Sequence, residues 1–178
     1  LGNESCGGST LFEMANLLRS LDQTRLIHYE GIFWDRRFPE TSDVESRMYA
    51  KPHEIIEYLS NNPGKPYLSC EYAHAMGNSL GGLQEYVELE DCFPMYQGGF
   101  IWDFKDQVLR VKGSGGQREL LTGLSFRKPT DGYFCANGLL FGDGTPTPKF
   151  AEASALYSPF RVTFTEERVM IEIGRAHV

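Results

Sequence analysis

Short apolar segments alternate with amphipathic helical segments along most of this chain, and this alternation constrains the fold more than any other feature. The pattern is typical of βα units, in which helices join and cover the strands of a parallel sheet. Five predicted strand ends fall within about a hundred residues, which is the spacing of half a (β/α)8 barrel. The predicted strands end within residues 1–4, 26–30, 47–50, 66–70 and 97–103.

The helices are predicted from apolar residues at helical spacing. The first carries Leu11, Met14, Leu18 and Leu21; the second follows Pro52 and carries Ile55, Ile56 and Leu59; the third carries Leu80, Leu83 and Val87. Residues 108–150 are rich in glycine and proline, which predicts an elaborate loop, and residues 151–156 predict a closing helix. We therefore expect an α/β fold in which residues 1–159 form part of a barrel.

From about Phe160 the apolar residues recur with a period of two, which predicts a β-hairpin. The residues that follow this pattern are Val162, Phe164, Val169 and Ile171. We interpret residues 160–172 as the start of a following β-sandwich domain. Residues 173–178 resemble the translation of a sequencing adapter, so we expect them to be non-native and exclude them from the fold.

Charge and cysteine content exclude several classes of function. The net charge is −7 and no basic stripe is present, which argues against nucleic acid as a partner. No apolar run is long enough to predict a membrane span. The four cysteines show neither a CxxC pair nor regular spacing, which is typical of reduced thiols and favours the cytoplasm.

Two glutamates, Glu4 and Glu71, follow short runs of apolar or small residues at predicted strand ends. A retaining glycosidase needs one carboxyl that donates a proton to the leaving oxygen and another that attacks the anomeric carbon, about 5–5.5 Å apart. Glu4 fits the donor, because the amide of Asn3 can hold a substrate hydroxyl beside it. Glu71 fits the nucleophile, with Tyr49 as a hydrogen-bond donor to its carboxylate. Taken without their neighbours, such glutamates more commonly cap a helix or form a salt bridge.

Two segments carry a family resemblance. They are Leu-Gly-Asn-Glu at residues 1–4 and Ser-Cys-Glu-Tyr-Ala-His-Ala-Met-Gly-Asn at residues 69–78. Together they resemble the large bacterial β-galactosidases of glycoside hydrolase family 2, and the resemblance extends to about Phe160. It implies the C-terminal half of a (β/α)8 TIM barrel. It also implies a retaining exo-β-galactosidase that hydrolyses terminal β-D-galactose, as in lactose, through a covalent galactosyl-enzyme intermediate.

The resemblance implies a role for each matching residue. Glu4 is the acid/base, Glu71 is the nucleophile, and the residues that bind the substrate are Asn3, Tyr49, His74, Trp102 and Asn137. It also implies two cations. A sodium ion is held by the Phe134 carbonyl and the Asn137 side chain, in a segment that includes Asp131. A magnesium ion is held by Glu4 and by ligands that lie outside this chain.

Several of these residues are also compatible with a purely structural role. His74 could be a hydrogen-bonded core histidine, Trp102 could fill the barrel and Tyr49 could cap a strand. Residues 123–128 read Gly-Leu-Ser-Phe-Arg-Lys where relatives often have Gly-Gly-Asp-Phe-Gly-Asp, so two acidic residues are lost and two cations are gained. These cations, Arg127 and Lys128, keep a β-glucuronidase open as a second function. A β-mannosidase of the same clan and an inactive sugar-binding protein also stay open.

The chain begins with Leu1, and its first residues already match an active-site motif. We therefore expect it to be part of a longer protein and, by itself, to expose strand edges and to lack activity. The resemblance implies that the intact protein is a homo-oligomer.

Overall fold

A computed structural model describes residues 1–113, 115–126, 130, 132 and 134–174 of the chain. The helices are α1 (Ser9–Leu21), α2 (Pro52–Ser60), α3 (Leu83–Val87), α4 (Leu89–Cys92) and α5 (Pro148–Leu156). The strands are β1 (Tyr67–Tyr72), β2 (Tyr96–Ile101), β3 (Leu109–Lys112), β4 (Arg118–Leu121), β5 (Phe160–Phe164) and β6 (Val169–Ile173). Short 3₁₀ turns span Glu30–Phe33, Pro39–Thr41 and Gly123–Ser125. The mixture of helices and strands confirms the predicted α/β class.

Strands β1 and β2 pair in parallel and form the centre of the molecule. Tyr67 lies opposite Tyr96, Ser69 opposite Gly99, and Tyr72 opposite Ile101. A Cβ atom on Gly99 would lie 2.7 Å from the Cβ of Ser69, so only glycine permits this approach of the two strands. The parallel pairing brings the carboxyl ends of β1 and β2 to the same edge, which is where ligand sites form in such folds.

The segments before β1 and after β2 form further parallel bridges. Glu45 forms a parallel bridge with Tyr67, and Lys105 forms one with Leu140. The Asp43 N–H donates to the Ile27 carbonyl at 2.8 Å, which places residues 26–28 beside residues 43–45. Neighbours in sequence are therefore neighbours in space, as expected for successive βα units.

Three of the predicted strands do not form. Residues 1–4 contain only a bend at positions 3 and 4, residues 26–29 are irregular before Glu30 opens a 3₁₀ turn, and residues 48 and 49 form a turn. Side chains occupy the backbone groups that a strand ladder would use: the Tyr29 N–H donates to the Ser42 hydroxyl and the Ile27 N–H donates to the Asp43 carboxylate. Hydrogen bonds from such polar side chains compete with sheet formation, and here they hold the segment in place without a ladder.

Two clusters of buried apolar residues hold the helices against β1 and β2. The cluster at the start of the strands comprises Ala50, Ile55, Leu59, Tyr67, Leu89 and Tyr96. The cluster at their ends comprises Tyr72, Ala75, Leu80, Leu83, Val87, Leu139 and Ala153. Burial of these side chains on both sides of residue 71 fixes the strand end at which the candidate nucleophile lies.

The second half of the chain contains two hairpins. The long predicted loop includes the antiparallel pair β3–β4. The predicted helix at residues 151–156 is confirmed as α5, which begins earlier, at Pro148. The predicted hairpin after residue 160 is confirmed as β5–β6, and it reaches Ile173, one residue beyond the expected boundary. Residues 175–178 of the predicted tail lie outside the described part.

Within the described residues, no helix combines the length and the apolar character that crossing a bilayer requires.

Candidate active site

Glu71 lies near the carboxyl end of β1, and Tyr49 holds it through two hydrogen bonds. The Tyr49 hydroxyl donates to Glu71 Oε2 at 2.8 Å, and the Tyr49 N–H donates to the Glu71 carbonyl, also at 2.8 Å. Tyr49 has a φ of 54°, which is unusual for a residue with a Cβ. Main-chain and side-chain bonds to the same partner therefore fix the Tyr49 ring against the Glu71 carboxylate.

Burial and the two candidate carboxylates all raise the pKa of Tyr49. Burial raises the pKa of the Tyr49 phenol above its ordinary value, and the hydrogen bond to Glu71 raises it further. The negative charges of Glu71, Cys70 and Glu4 add to this increase in pKa. The phenol therefore stays protonated at neutral pH and acts only as a donor to Glu71. The charges of both candidate carboxylates contribute to this raised pKa, Glu71 more than Glu4.

Glu4 lies in an exposed loop that is tied to the next segment of the chain. Its φ is 51°, and its N–H donates to Glu30 Oε1 at 2.6 Å. The Tyr29 hydroxyl donates to the Ser5 carbonyl at 2.6 Å. Glu30 therefore holds the loop at Glu4, and Tyr29 holds it at Ser5. Asn3, the other candidate in this loop, is exposed to solvent beside Glu4.

Glu30 was missed by the sequence reasoning. It directly follows the apolar residues 26–29, just as Glu71 follows the apolar start of β1, and this shared pattern was the available indication.

His74 lies just beyond β1 and packs between two aromatic rings. Its ring centroid is 5.7 Å from that of Tyr49 and 5.4 Å from that of Phe134. His74 is half-buried, so its ring is not enclosed as a core histidine would be. The arrangement places a hydrogen-bonding imidazole beside the Tyr49–Glu71 pair.

Trp102 follows β2 and is joined to the segment after β1. Its carbonyl accepts from the Ala75 N–H at 2.7 Å, and its N–H donates to the Tyr72 carbonyl at 3.3 Å. The indole Nε1 is buried and finds no hydrogen-bond partner among the described residues. Buried donors are normally satisfied, so this N–H is available to a group outside the described part of the chain.

Asn137 is completely buried, and its amide orientation follows from its neighbours. The carboxylate of Asp103 can only accept, so Gln107 directs Nε2 towards it. The Oε1 of Gln107 then accepts from Asn137 Nδ2 at 3.2 Å. Asn137 Oδ1 is left buried without a hydrogen-bond partner in the described structure. An unpaired buried amide oxygen fits a hard cation, which prefers oxygen ligands.

The other predicted cation ligands have less support from the geometry. Phe134 is half-exposed and lies three positions before Asn137, whereas Asp131 lies outside the described residues. Among the described residues, no group of three or more histidine, cysteine or acidic side chains is arranged to hold a metal ion. Glu4 alone does not make a magnesium site.

The structure thus joins most of the predicted residues through direct contacts. Glu71, Tyr49, His74 and Phe134 form one row of contacts, and Glu4 acts on it through its charge. Asn137 joins Trp102 through the Asp103 N–H, which donates to the Asn137 carbonyl at 2.9 Å. Asp103 and Gln107 orient Asn137 through their carboxyl and amide side chains. Neither residue was among the sequence candidates.

Comparisons with known proteins identify the family to which the chain is similar. Residues 1–162 match the family described as "Glycosyl hydrolases family 2, TIM barrel domain". The chain is similar to a β-galactosidase of Halalkalibacterium halodurans, with 49% identity over 172 residues that cover 96% of this chain and 17% of that protein. It is also similar to a β-galactosidase of Priestia megaterium, with 51% identity over 92% of this chain and 16% of that protein. The chain therefore spans about a sixth of the length of these relatives.

A solved structure shares the fold. The β-glucuronidase of Bacteroides uniformis superimposes with a TM-score of 0.55 over 85% of this chain and 20% of its own. The sequence identity is 14%, so this likeness supports the fold alone.

Proposed function

The chain belongs to glycoside hydrolase family 2, and from this membership we propose that it is part of the catalytic barrel of a retaining exo-β-galactosidase. The proposed enzyme hydrolyses terminal β-D-galactose residues of lactose-like substrates. One observation carries the proposal: Glu71, one residue before the end of β1, accepts a hydrogen bond from the Tyr49 hydroxyl at 2.8 Å, and the charge of Glu4 contributes to the raised pKa of that hydroxyl. Relatives that are 49% and 51% identical are named β-galactosidases.

The reaction proceeds in two displacements. A carboxylate oxygen of Glu71 attacks the anomeric carbon while the bond from that carbon to the leaving oxygen breaks, and Glu4 gives its proton to the leaving oxygen. A water molecule then attacks the same carbon and the bond to Glu71 breaks. Glu4 takes the proton of this water and is ready for the next cycle. Tyr49 holds the attacking carboxylate in position throughout.

The remaining candidates bind the galactosyl group in this proposal. Asn3 lies beside Glu4 and His74 beside Tyr49, where amide and imidazole groups can hold sugar hydroxyls. Trp102 offers an aromatic face for the pyranose ring, and its unpaired Nε1 can donate to a hydroxyl. These contacts orient the anomeric carbon towards Glu71.

We propose a sodium ion at Asn137 Oδ1, with the Phe134 carbonyl as a second ligand. When bound, the ion supplies a positive charge that orients a substrate hydroxyl. The buried and unpaired Oδ1 supports this proposal. A magnesium ion at Glu4 is also proposed, with its other ligands outside this chain, and no step depends on it.

Replacing Asn137 with leucine removes the buried oxygen at similar size, so we expect the sodium response to be lost. When the sodium concentration is a hundred times the Kd, binding to the folded wild type raises its free energy of unfolding by about 2.7 kcal/mol. Thermal unfolding of the full-length protein in NaCl and in choline chloride at equal ionic strength measures this effect. Thr147→Val, which also removes a buried polar group, should keep the response. An unchanged sodium response in Asn137→Leu would place the ion elsewhere.

We further propose that residues 1–159 are the C-terminal half of a (β/α)8 barrel and that residues 160–172 begin a β-sandwich domain. The sequential neighbours around β1 and β2 support the first statement. The β5–β6 hairpin, which exposes apolar residues on its surface, supports the second. The homo-oligomer remains a proposal that sedimentation of the full-length protein tests.

A β-glucuronidase is the second candidate function within the same family. The β-glucuronidase of Bacteroides uniformis is 14% identical to this chain, and Arg127 and Lys128, which favoured this function, lie outside the described residues.

Hydrolysis of an aryl β-galactoside and of the matching β-glucuronide by the full-length protein distinguishes the two functions. We expect kcat/KM to be at least about a hundred times larger for the galactoside, because a site built for a hydroxyl leaves the glucuronide carboxylate unpaired. Cleavage of the glucuronide alone would replace the proposed substrate while keeping the mechanism.

A further inference from the structure

The carboxylate of Glu30 is directly bonded to the segment that carries the candidate acid/base. Glu30 is only 8% exposed and opens the turn Glu30–Phe33. Its Oε1 accepts the Glu4 N–H at 2.6 Å. Hydrogen bonds to a charged acceptor are short and strong, so this contact fixes the backbone of Glu4.

Glu30 differs from the other buried acids of the molecule. Glu45 forms an ion pair with Arg36 at 2.7 Å, and Asp35 forms one with Arg37 at 2.8 Å. Within the described ranges, none of the ion pairs includes Glu30. Burying a carboxylate without a cation destabilises the folded state. We therefore ask which task Glu30 performs that a neutral residue would perform less well.

The conformation of Glu4 explains what that task is. A φ of 51° is unfavourable for a residue with a Cβ and persists only where neighbouring groups impose it. The bond from the Glu4 N–H to Glu30 imposes it, and the direction of the Glu4 side chain depends on this backbone conformation. Loss of the bond releases Glu4 to a commoner φ and turns its carboxyl away.

The charge of Glu30 also acts on the second catalytic segment. Burial raises the pKa of the Cys70 thiol to about 11, and the negative charges of Glu30 and Glu71 contribute to this increase. Cys70 directly precedes Glu71. The charge of Glu30 thus acts on the residue before Glu71, while its Oε1 accepts from the Glu4 N–H.

We infer that Glu30 is a positioning residue for the acid/base: it holds the Glu4 backbone so that the Glu4 carboxyl faces the glycosidic oxygen. The inference rests on the proposed function for its chemistry. Acid catalysis matters most when the leaving group is a poor one, because a good leaving group departs without a proton. Disturbing the position of Glu4 therefore changes the dependence of the rate on the leaving group.

The test compares full-length wild type, Glu30→Gln and Glu30→Leu on 2,4-dinitrophenyl β-galactoside and on methyl β-galactoside. We expect Glu30→Leu to lower kcat/KM for the methyl galactoside by roughly 100-fold, as for a misplaced catalytic group, and for the dinitrophenyl galactoside by less than about 3-fold. Glu30→Gln keeps an acceptor oxygen for the Glu4 N–H and should recover much of the loss. Equal losses on both substrates, or no loss, would overturn the inference.

The matched control is Glu45→Gln, which disturbs a buried acid that is paired with Arg36 and does not contact Glu4. It should lower stability and leave the ratio of the two kcat/KM values unchanged. A second measurement does not depend on activity: amide hydrogen exchange of the peptide that contains Glu4. Faster exchange in Glu30→Leu than in wild type and in Glu45→Gln is expected, and equal exchange would contradict the role of Glu30 even if the galactoside is not the substrate.

Discussion

Replacing Glu71 with glutamine is expected to lower kcat/KM for an aryl β-galactoside by roughly 10⁴-fold or more, the largest effect that we predict for any single substitution. An amide does not attack the anomeric carbon, so the covalent intermediate does not form. The glutamine oxygen can still accept the hydrogen bond that Tyr49 now donates at 2.8 Å, so the fold should persist. Steady-state hydrolysis and thermal unfolding of the full-length protein measure the two properties.

The control for this substitution is Glu57→Gln, which makes the same chemical change on the exposed surface of α2. Its activity should stay within about 2-fold of wild type, as is usual for surface positions. If Glu71→Gln keeps more than a tenth of the wild-type activity while it is correctly folded, Glu71 is not the nucleophile and the proposed mechanism is wrong.

Replacing Glu4 with alanine is expected to produce the second largest effect, and one that depends on the substrate. For methyl β-galactoside, whose leaving oxygen needs a proton, kcat/KM should fall by roughly 10²–10⁴-fold. For 2,4-dinitrophenyl β-galactoside it should change little, because that leaving group departs unprotonated. Breakdown of the galactosyl-enzyme should become slow, since no base takes the proton of the attacking water.

Sodium azide provides the control for Glu4→Ala. Azide is already an anion, so it attacks the anomeric carbon without a base, the bond to Glu71 breaks, and β-galactosyl azide forms. We expect azide to accelerate turnover of the dinitrophenyl galactoside by Glu4→Ala and to leave Glu71→Gln inactive. Formation of α-galactosyl azide, or no acceleration, would contradict the assignment of Glu4 as acid/base.

Much of the architecture could be predicted because the hydrophobic pattern is strong. Helices α1, α2 and α5, the strands that became β1 and β2, and the hairpin β5–β6 all occur where the apolar periodicity indicated them. The strands expected at 1–4, 26–30 and 47–50 do not form. In residues 26–30 the composition is that of a strand, but Asp43 and Ser42, which lie 16 and 13 positions further along the chain, accept from the Ile27 and Tyr29 N–H groups.

The candidate carboxylates could be found because each follows a short run of apolar or small residues, and because the ten residues around Glu71 are distinctive. Of the groups that hold them, Tyr49 was expected from the sequence, whereas Glu30 and Gln107 were missed. Glu30 follows a mostly apolar run as Glu71 does, but neither Glu30 nor Gln107 lies in a segment that matches a motif. Their importance depends on bonds to Glu4 and to Asn137, which lie 26 and 30 positions away in the chain.

The sequence by itself determined the α/β class, the family and the two candidate catalytic carboxylates, because hydrophobic periodicity and local motifs are properties of neighbouring residues. The sequence also indicated Tyr49 as the hydrogen-bond donor to Glu71, and the structure contains this bond. Only the tertiary structure decided two further contacts: Glu30 Oε1 accepts from the Glu4 N–H, and Gln107 Oε1 accepts from Asn137 Nδ2. Hydrogen-bond partners are selected by distance and direction in space. Residues far apart in the chain meet only after the core around β1 and β2 has packed.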